Sequence, residues 1–370
     1  MSDDTVYWVW LNELVGLSLK AKRTLLAAYD NPKEIFQTNF DCVQSVLAKG
    51  SHYATAVAES PREMAFASVW TGRNLKIAEA ILNNNEHHNI HVLSAYDDQY
   101  LSIFNSDQQA PLVLYYRGTL SDPSVPVVGV IGSRSCTSYG EMVTSSAVAD
   151  LVEKGNIIAS GLSFGIDALA HRITLENQGI TYAFLPCGLH KAQPASHAEL
   201  MEQIADTGAV ITPYAFGKQA LPFRFIGRNG VLSSWCNTLL VIEARLESGS
   251  MNTAKSALAK GKRVLAVPNS LLEPKSCGTN YLLSVGAQAY LNDHLFTQDC
   301  TNRQPDSESP VHPGEAAVVE ALRQKALTTS ELASLVDNTN LSVMECLADM
   351  ELAEKIVFRS DGKWHLIKGI

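Results

Sequence analysis

The stretch "VVGVIGSRSCTSYG", residues 127–140, contains the pattern that decides the fold of this chain. Its first five residues are almost all strongly apolar and predict a buried strand, which runs into a glycine turn, an arginine and then a helix. Turns of this kind, placed before a helix N-terminus, commonly bind a phosphate group. The phosphate could belong to a dinucleotide cofactor, a nucleoside triphosphate or a nucleic acid.

The same alternation of strand and helix continues to about residue 269. The segments "NIIASG", "TYAFLPC", "AVITPY", "TLLVIEA" and "RVLAVPN" predict further strands, and "IHVLSA" and "PLVLYYRG" predict two more upstream. Continuous apolar strands separated by amphipathic helices indicate a parallel sheet that is covered on both faces. The predicted fold class is therefore α/β, an extended Rossmann-like, doubly wound and mostly parallel sheet.

The flanks of this core predict smaller domains. Residues 1–88 are helical in pattern. They suggest either a SAM-like or helix-hairpin-helix module or a plain helical cap on the Rossmann-like core, which is predicted at 89–297. Residues 298–314 are polar and proline-rich and predict a linker. Residues 315–370 show three helices followed by two short strands, the order of a winged helix.

Composition excludes several classes of protein. No apolar run approaches the length of a membrane span, and no basic segment precedes an apolar one at the N-terminus, so we expect neither a membrane protein nor a secreted one. The seven cysteines are scattered, and none forms a CxxC pair. This usage favours reduced thiols in the cytoplasm over disulfides or a structural zinc site.

The charge is distributed unevenly along the chain. The net charge is −9, yet residues 127–293 contain thirteen Lys or Arg and twelve Asp or Glu, which leaves this segment at +1. A basic groove on an acidic protein would produce such a difference, as would ordinary variation in composition.

The first turn does not fit the common nucleotide motifs. A dinucleotide site would need G-x-G-x-x-G and an acidic residue after the second strand, whereas that strand ends in Ser160-Gly161. A P-loop would need G-x-x-x-x-G-K-[ST], which is absent from the sequence. NAD and ATP are therefore poor candidates, and we expect no cofactor.

Several other polar turns are predicted to meet at the same sheet edge. "SGLSFGIDALAH" follows the second strand of the core, "LPCGLHKAQPASH" the third and "EARLESGSMNTAKSALAKGKR" the fifth. The segment "FRFIGRNG", residues 223–230, adds phenylalanines and arginines. Arginines for phosphates and aromatic rings for bases are the components of single-strand binding.

These motifs, in this order and spacing, resemble the DprA/Smf family of DNA-processing proteins. The resemblance rests on "GVIGSR", "ASGLSFGIDALAH", "FxxRN" at 225–229, "LLVIEA…SGSMNTA…GKRVLAVP" and "SCGTNYLLSVGAQ", and it covers roughly residues 90–295. It implies a non-enzymatic homodimer that binds incoming single-stranded DNA during natural transformation, protects it and loads the RecA recombinase onto it.

Carried over by position, the resemblance implies that Arg134, Phe225 and Arg228 contact DNA and that turns at 132–133 and 248–250 bind anions. Lys255 is added because it lies early in the helix after the second of these turns. The full set expected to bind single-stranded DNA is Gly132, Ser133, Arg134, Phe164, Arg224, Phe225, Arg228, Asn229, Ser248, Gly249, Ser250 and Lys255.

The chain departs from the family pattern at several positions. Phe164 stands where the family usually has a basic residue, and Gly230 where it usually has arginine. His197 stands in place of an asparagine and Asn269 in place of a glycine. We expect weaker DNA affinity or a modified groove, with Phe164 able to stack on a base.

Other readings of the same residues stay open. Asp167 and His171 could form a catalytic dyad, although a loop tie and a packed histidine are the favoured interpretation, and Glu243 and Cys187 are interpreted as structural. The last predicted helix is acidic, which favours a protein contact over duplex DNA binding. The alternative function is a Rossmann-like small-nucleotide sensor or a relative of phosphoribohydrolases, although their "PGGxGT" motif is absent.

Overall fold

The computed structural model describes residues 4–49, 61–104, 107–291, 315–335, 343, 346–347, 350–351, 355–359 and 361–367, without the side chains of 61–65, 315–316 and 335. The chain divides into two compact units, Met1–Cys300 and Thr301–Ile370.

A nine-stranded sheet forms the centre of the first unit. Its order is β1-β2-β6-β5-β4-β3-β7-β8-β9, in which β1/β2 and β2/β6 are antiparallel and the remaining pairs are parallel. The strands are β1 (His91–Ser94), β2 (Val113–Gly118), β3 (Val127–Ile131), β4 (Ile157–Ser160), β5 (Thr181–Phe184), β6 (Ala209–Thr212), β7 (Thr238–Val241), β8 (Arg263–Ala266) and β9 (Gln288–Ala289).

The predicted α/β class with a mostly parallel sheet is confirmed. Every residue of β3, β4, β5, β6 and β7 is buried, which explains why these strands are continuous apolar runs rather than alternating ones. The two-residue strand β9 is the one that the sequence pattern missed.

The described helices of the first unit cover both faces of this sheet. They are α1 (Thr5–Glu13), α2 (Leu19–Ala28), α3 (Pro32–Gln37), α4 (Phe40–Lys49), α5 (Pro61–Thr71), α6 (Lys76–His87), α7 (Asp98–Phe104), α8 (Ser138–Glu153), α9 (Ile166–Glu176), α10 (Ala198–Thr207), α11 (Pro222–Trp235), α12 (Gly249–Ala259) and α13 (Cys277–Ser284).

Local chemistry sets the limits of the N-terminal helices. The Ser18 side chain accepts a hydrogen bond from the Ala21 amide and caps α2. Asn31-Pro32, a stop signal in the sequence, also begins α3, because Asn31 caps it and proline is tolerated at the first helical position. Trp10 lies edge-on to both Phe36 and Trp70, so this group of helices has an aromatic centre.

The second unit is described in part. It contains α14 (Glu315–Gln324), α15 (Thr329–Leu335) and an antiparallel pair of β10 (Ile356–Phe358) and β11 (Trp364–Leu366). The helix predicted just before this pair lies mostly outside the described residues, so the winged helix stays a prediction. The protein-contact role expected for the acidic predicted helix also stays a prediction, because Glu351 is the only one of its acidic residues that the structure describes.

Candidate nucleic-acid interface

A cavity of about 360 Å³ lies at the carboxyl ends of β3 and β7. The chain winds from β3 through β4 to β6 in one direction and from β7 to β9 in the other, so this is the switch point at which ligands bind in doubly wound folds. Nine of the twelve predicted residues line this switch-point cavity: Gly132, Ser133, Arg134, Phe225, Arg228, Asn229, Ser248, Gly249 and Ser250.

Close packing fixes the turn after β3. A Cβ on Gly132 would lie 2.6 Å from the Ile166 side chain, so only glycine lets the turn pack this closely against α9. The Ser250 hydroxyl donates to the Gly132 carbonyl at 2.8 Å and joins the turn to the start of α12. The Ser133 hydroxyl donates to the Ser135 carbonyl at 2.9 Å. The two predicted anion-binding turns are thus held against each other.

The N-termini of α9 and α12 line the cavity, and that of α8 follows the turn after β3. Two of these three N-termini already have a carboxylate. Glu243 is fully buried and accepts hydrogen bonds from the amide and the hydroxyl of Thr137, the N-cap of α8. Asp167 is in the first turn of α9. The first turn of α12 has no acidic residue, and the Ser248 hydroxyl caps it. The N-terminus of α12 is therefore the one left to attract an anion.

Arg134 and Phe225 lie next to each other on the cavity wall. Arg134 is exposed, and its guanidinium lies 5.8 Å from the centroid of the Phe225 ring. Arg245, which the sequence analysis did not select, is also exposed and lines the same cavity. Two exposed guanidinium groups and an aromatic ring in one cavity can bind phosphates and stack a base.

Arg228 occupies the floor of the cavity. It is 4 % exposed, and its Nη1 donates to the carbonyls of Gly161 at 2.5 Å and Phe184 at 2.6 Å. Its Nε is buried and has no hydrogen-bond partner among the described residues. Desolvation lowers the pKa of this guanidinium, and the nearby Asp167 opposes that shift. Arg228 thus supports the cavity from below instead of projecting from its wall.

Asp167 is the anionic partner on this floor. A Cβ on Gly161 would lie 2.7 Å from the Asp167 carboxylate and 2.3 Å from the Arg228 guanidinium, so both side chains close over this glycine. Burial raises the pKa of Asp167, while Arg228 and hydrogen bonds from Ser163 and Gly132 act in the opposite direction. Asp167 therefore joins the turns after β3 and β4, as the favoured interpretation of the sequence expected.

His171 does not form a dyad with Asp167. Its Nδ1 lies 2.7 Å from the Thr181 hydroxyl, and the ring is fully buried. Burial lowers the pKa of His171 to about 3, so the ring is neutral at physiological pH. Burial likewise raises the pKa of the Cys187 thiol, which is buried in the core. Both side chains are structural.

Three predicted site residues lie outside the lining of the switch-point cavity. Phe164 is 51 % exposed and stands edge-on to His197 at 4.9 Å. Arg224 lies over the rings of Tyr214 and Phe223 at 5.3 and 5.6 Å. The ammonium of Lys255 lies 5.5 Å from the ring centroid of Tyr281 on α13.

The altered position 197 has a structural role here. The His197 ring is buried, and its Nδ1 lies 2.9 Å from the Leu162 carbonyl. Leu162 has a positive φ of 56°, which residues other than glycine rarely adopt. His197 therefore supports the loop that presents Phe164.

The described residues show no metal-binding cluster, no membrane-spanning helix and no disulfide. No group of three or more His, Cys, Asp or Glu side chains there is placed to hold a metal ion. Within the same residues no helix is both long and apolar enough to cross a membrane. None of the six cysteines among them, all except Cys300, is part of a disulfide.

The chain is similar to known DNA-processing proteins. Residues 91–301 match the family described as DNA recombination-mediator protein A. DNA processing protein DprA of Streptococcus pneumoniae is 34% identical over 221 residues, 60% of this chain and 78% of that protein. Protein Smf of Escherichia coli is 32% identical over 203 residues, 55% of this chain and 54% of that protein. The X-ray structure of DNA processing protein A from Streptococcus pneumoniae has a TM-score of 0.65 at 26% identity and covers 77% of this chain and 94% of that one.

Proposed function

Because the chain belongs to the DprA/Smf family of DNA-processing proteins, we propose that it binds single-stranded DNA at the switch-point cavity. The observation that carries the proposal is the exposed Arg134 over the Phe225 ring, beside a helix N-terminus that has no carboxylate. A strand offers both a phosphate and an unstacked base, and these two features recognise that combination.

The binding mode follows from the chemistry of the wall. A phosphate would lie between Arg134, Arg245 and the N-terminus of α12, which all line this cavity. A base would stack on Phe225, whose ring accepts any base. Binding should therefore depend steeply on salt and little on sequence.

We also propose that the protein binds the strand without cleaving it. Asp167 accepts hydrogen bonds from Ser163 and Gly132, and His171 is bonded to Thr181. The Glu243 carboxylate caps α8 through Thr137. These acids and this base are thus engaged in the scaffold, which favours a protein that holds a strand without cleaving it.

We further propose that the protein protects the strand, loads RecA onto it and acts as a homodimer in the cytoplasm. Leu271 and Leu272 are 85 % and 92 % exposed in the loop after β8. Tyr281 on α13 and Val285, directly after that helix, are also exposed. Large exposed apolar side chains of this kind are typical of contact surfaces. Sedimentation equilibrium of the wild type and of Leu272→Glu tests the dimer, which the substitution should weaken.

Fluorescence polarisation of labelled poly-dT tests the proposed DNA site. We expect Arg134→Ala to weaken binding about tenfold or more and to reduce the salt slope by about 0.7, the contribution of one phosphate contact on a single strand. Phe225→Ala should lose about 1–3 kcal/mol, the usual contribution of one stacked base. Arg172→Ala, which removes an exposed arginine on α9, is the matched control and should bind as wild type does. Equal losses in Arg134→Ala and Arg172→Ala would contradict the proposed site.

A further inference from the structure

A second cavity, of about 490 Å³, lies on another face of α11. Its walls come from α1, α2, α11, α12 and the loops before β2 and after β6. Asn229 lines both this α11 cavity and the switch-point cavity, so the two adjoin along one helix. Its volume falls within the roughly 300–1,000 Å³ of small-molecule sites.

Two glycines on α11 shape the wall of this cavity. Gly227 packs against the Tyr214 hydroxyl, which would lie 2.5 Å from a Cβ. A Cβ on Gly230 would meet nothing within 4 Å, so steric crowding does not require glycine there. Glycine inside a helix is less favourable than alanine. An arginine at 230, the usual residue in the family that the chain resembles, would extend into this space.

The charge on the cavity wall is positive. Lys22 and Lys260 are lining residues, whereas none of the lining residues is acidic. Lys260 is already paired with Asp107 at 2.9 Å. Lys22 is 8 % exposed and donates to the Asn12 carbonyl at 2.6 Å, and no carboxylate in the described part of the chain lies within ion-pair distance of it. An ammonium in this position favours an anionic ligand.

Burial also changes the protonation equilibrium of Lys22. Desolvation lowers its pKa to about 8, and the more distant Glu13 acts in the opposite direction. The side chain is therefore still mainly protonated at pH 7. Because an anion brought beside it would replace lost hydration, the arrangement is suited to a phosphate.

The rest of the wall suits a flat heterocycle. The side-chain amides of Asn12, Gln109 and Asn252 offer both donors and acceptors, the type of group that reads the edges of bases. Pro111 and Ile226 add apolar surface for the faces of a ring.

We propose that the α11 cavity binds a nucleotide, with its phosphate near Lys22 and its base between the apolar walls and the amides. The nucleotide is either free in solution or one unit of a strand that crosses α11 from the switch-point cavity. The second source rests on the proposed function, and the first is independent of it.

Isothermal titration of the full chain with thymidine 5′-monophosphate, alongside polarisation with a labelled dT oligonucleotide, tests this site. Lys22→Met removes the ammonium, and Gly230→Leu fills the cavity at a position where a Cβ meets no neighbour within 4 Å. Lys20→Met, an exposed lysine on the same helix, is the matched control for charge. Arg134→Ala reports on the switch-point cavity separately.

We expect Lys22→Met and Gly230→Leu to weaken binding of the monophosphate or the oligonucleotide at least tenfold. Lys20→Met should leave both affinities unchanged. Loss of monophosphate binding in these two variants but not in Arg134→Ala identifies the ligand of the α11 cavity as a free nucleotide. Loss of oligonucleotide affinity in the same two variants identifies a unit of the strand. If both ligands bind these variants as they bind wild type, or if monophosphate binding is lost with Arg134→Ala instead, the proposal is overturned.

Discussion

The buried Arg228 should contribute more to stability than any exposed arginine of the site. Its replacement by methionine keeps the apolar stem but removes the guanidinium that bonds the Gly161 and Phe184 carbonyls. It also leaves the Asp167 carboxylate, 7 % exposed, without its cationic neighbour. The substitution thus creates one uncompensated buried charge and two carbonyls without these hydrogen bonds.

The size of the effect follows from this geometry. Removing one partner of a buried charged pair costs about 3–5 kcal/mol, a large share of the roughly 5–15 kcal/mol by which domains are stable. We therefore expect Arg228→Met to lower the free energy of unfolding by about 3–5 kcal/mol. Arg228→Met combined with Asp167→Asn should recover part of this loss, because no buried charge is then left unpaired. The coupling should be about 1–3 kcal/mol.

Urea denaturation followed by circular dichroism measures these differences. Arg224→Met is the matched control, because that arginine is half-buried and stacks on Tyr214 and Phe223. Its loss should cost about 1 kcal/mol or less. The reasoning is refuted if Arg228→Met unfolds within 1 kcal/mol of wild type, or if the double variant shows purely additive losses.

Two further predictions concern the rim and the core. Phe164→Lys places a cation at the rim of the cavity and should tighten poly-dT binding and steepen its salt slope by about 0.7. Ile77→Lys, which adds the same charge at an exposed position on α6, should change neither the affinity nor the slope. Equal gains in the two variants would count against a site-specific effect. His171 has a folded pKa of about 3, below its unfolded value near 6.5, so the unfolded state binds an extra proton between these values and stability falls as the pH drops below 6.5. His171→Gln should make the loss of unfolding free energy between pH 6 and 4 shallower by up to about 1.4 kcal/mol per pH unit, and parallel curves would exclude this assignment.

The strands were predictable because a strand that is buried on both faces of a sheet is a continuous run of apolar residues in the sequence. Runs such as "VVGVI" and "TLLV" contain almost no polar residue, so their character does not depend on distant partners. The convergence of residues 132–134 and 248–250 was also predictable, since parallel strands end at one edge. Strand β9 was missed because two residues carry no periodicity.

The depth of each side chain was not predictable from spacing. Phe225 and Arg228 are three residues apart and share a face of α11, yet Phe225 is half-buried and Arg228 is 4 % exposed. That difference depends on how α11 packs over β5, a long-range contact. Lys22 and the α11 cavity were missed for the same reason, because segments more than two hundred residues apart form the walls.

The most direct test of the central claim is photocrosslinking of the protein to an oligonucleotide of 5-iodouracil, followed by peptide mapping. The claim is that a single strand lies over the wall formed by Arg134 and Phe225. We predict a crosslink at Phe225 that disappears at high salt and in Arg134→Ala but persists in Arg172→Ala. A crosslink map that leaves the Phe225 peptide unmodified while the strand is bound would contradict the account.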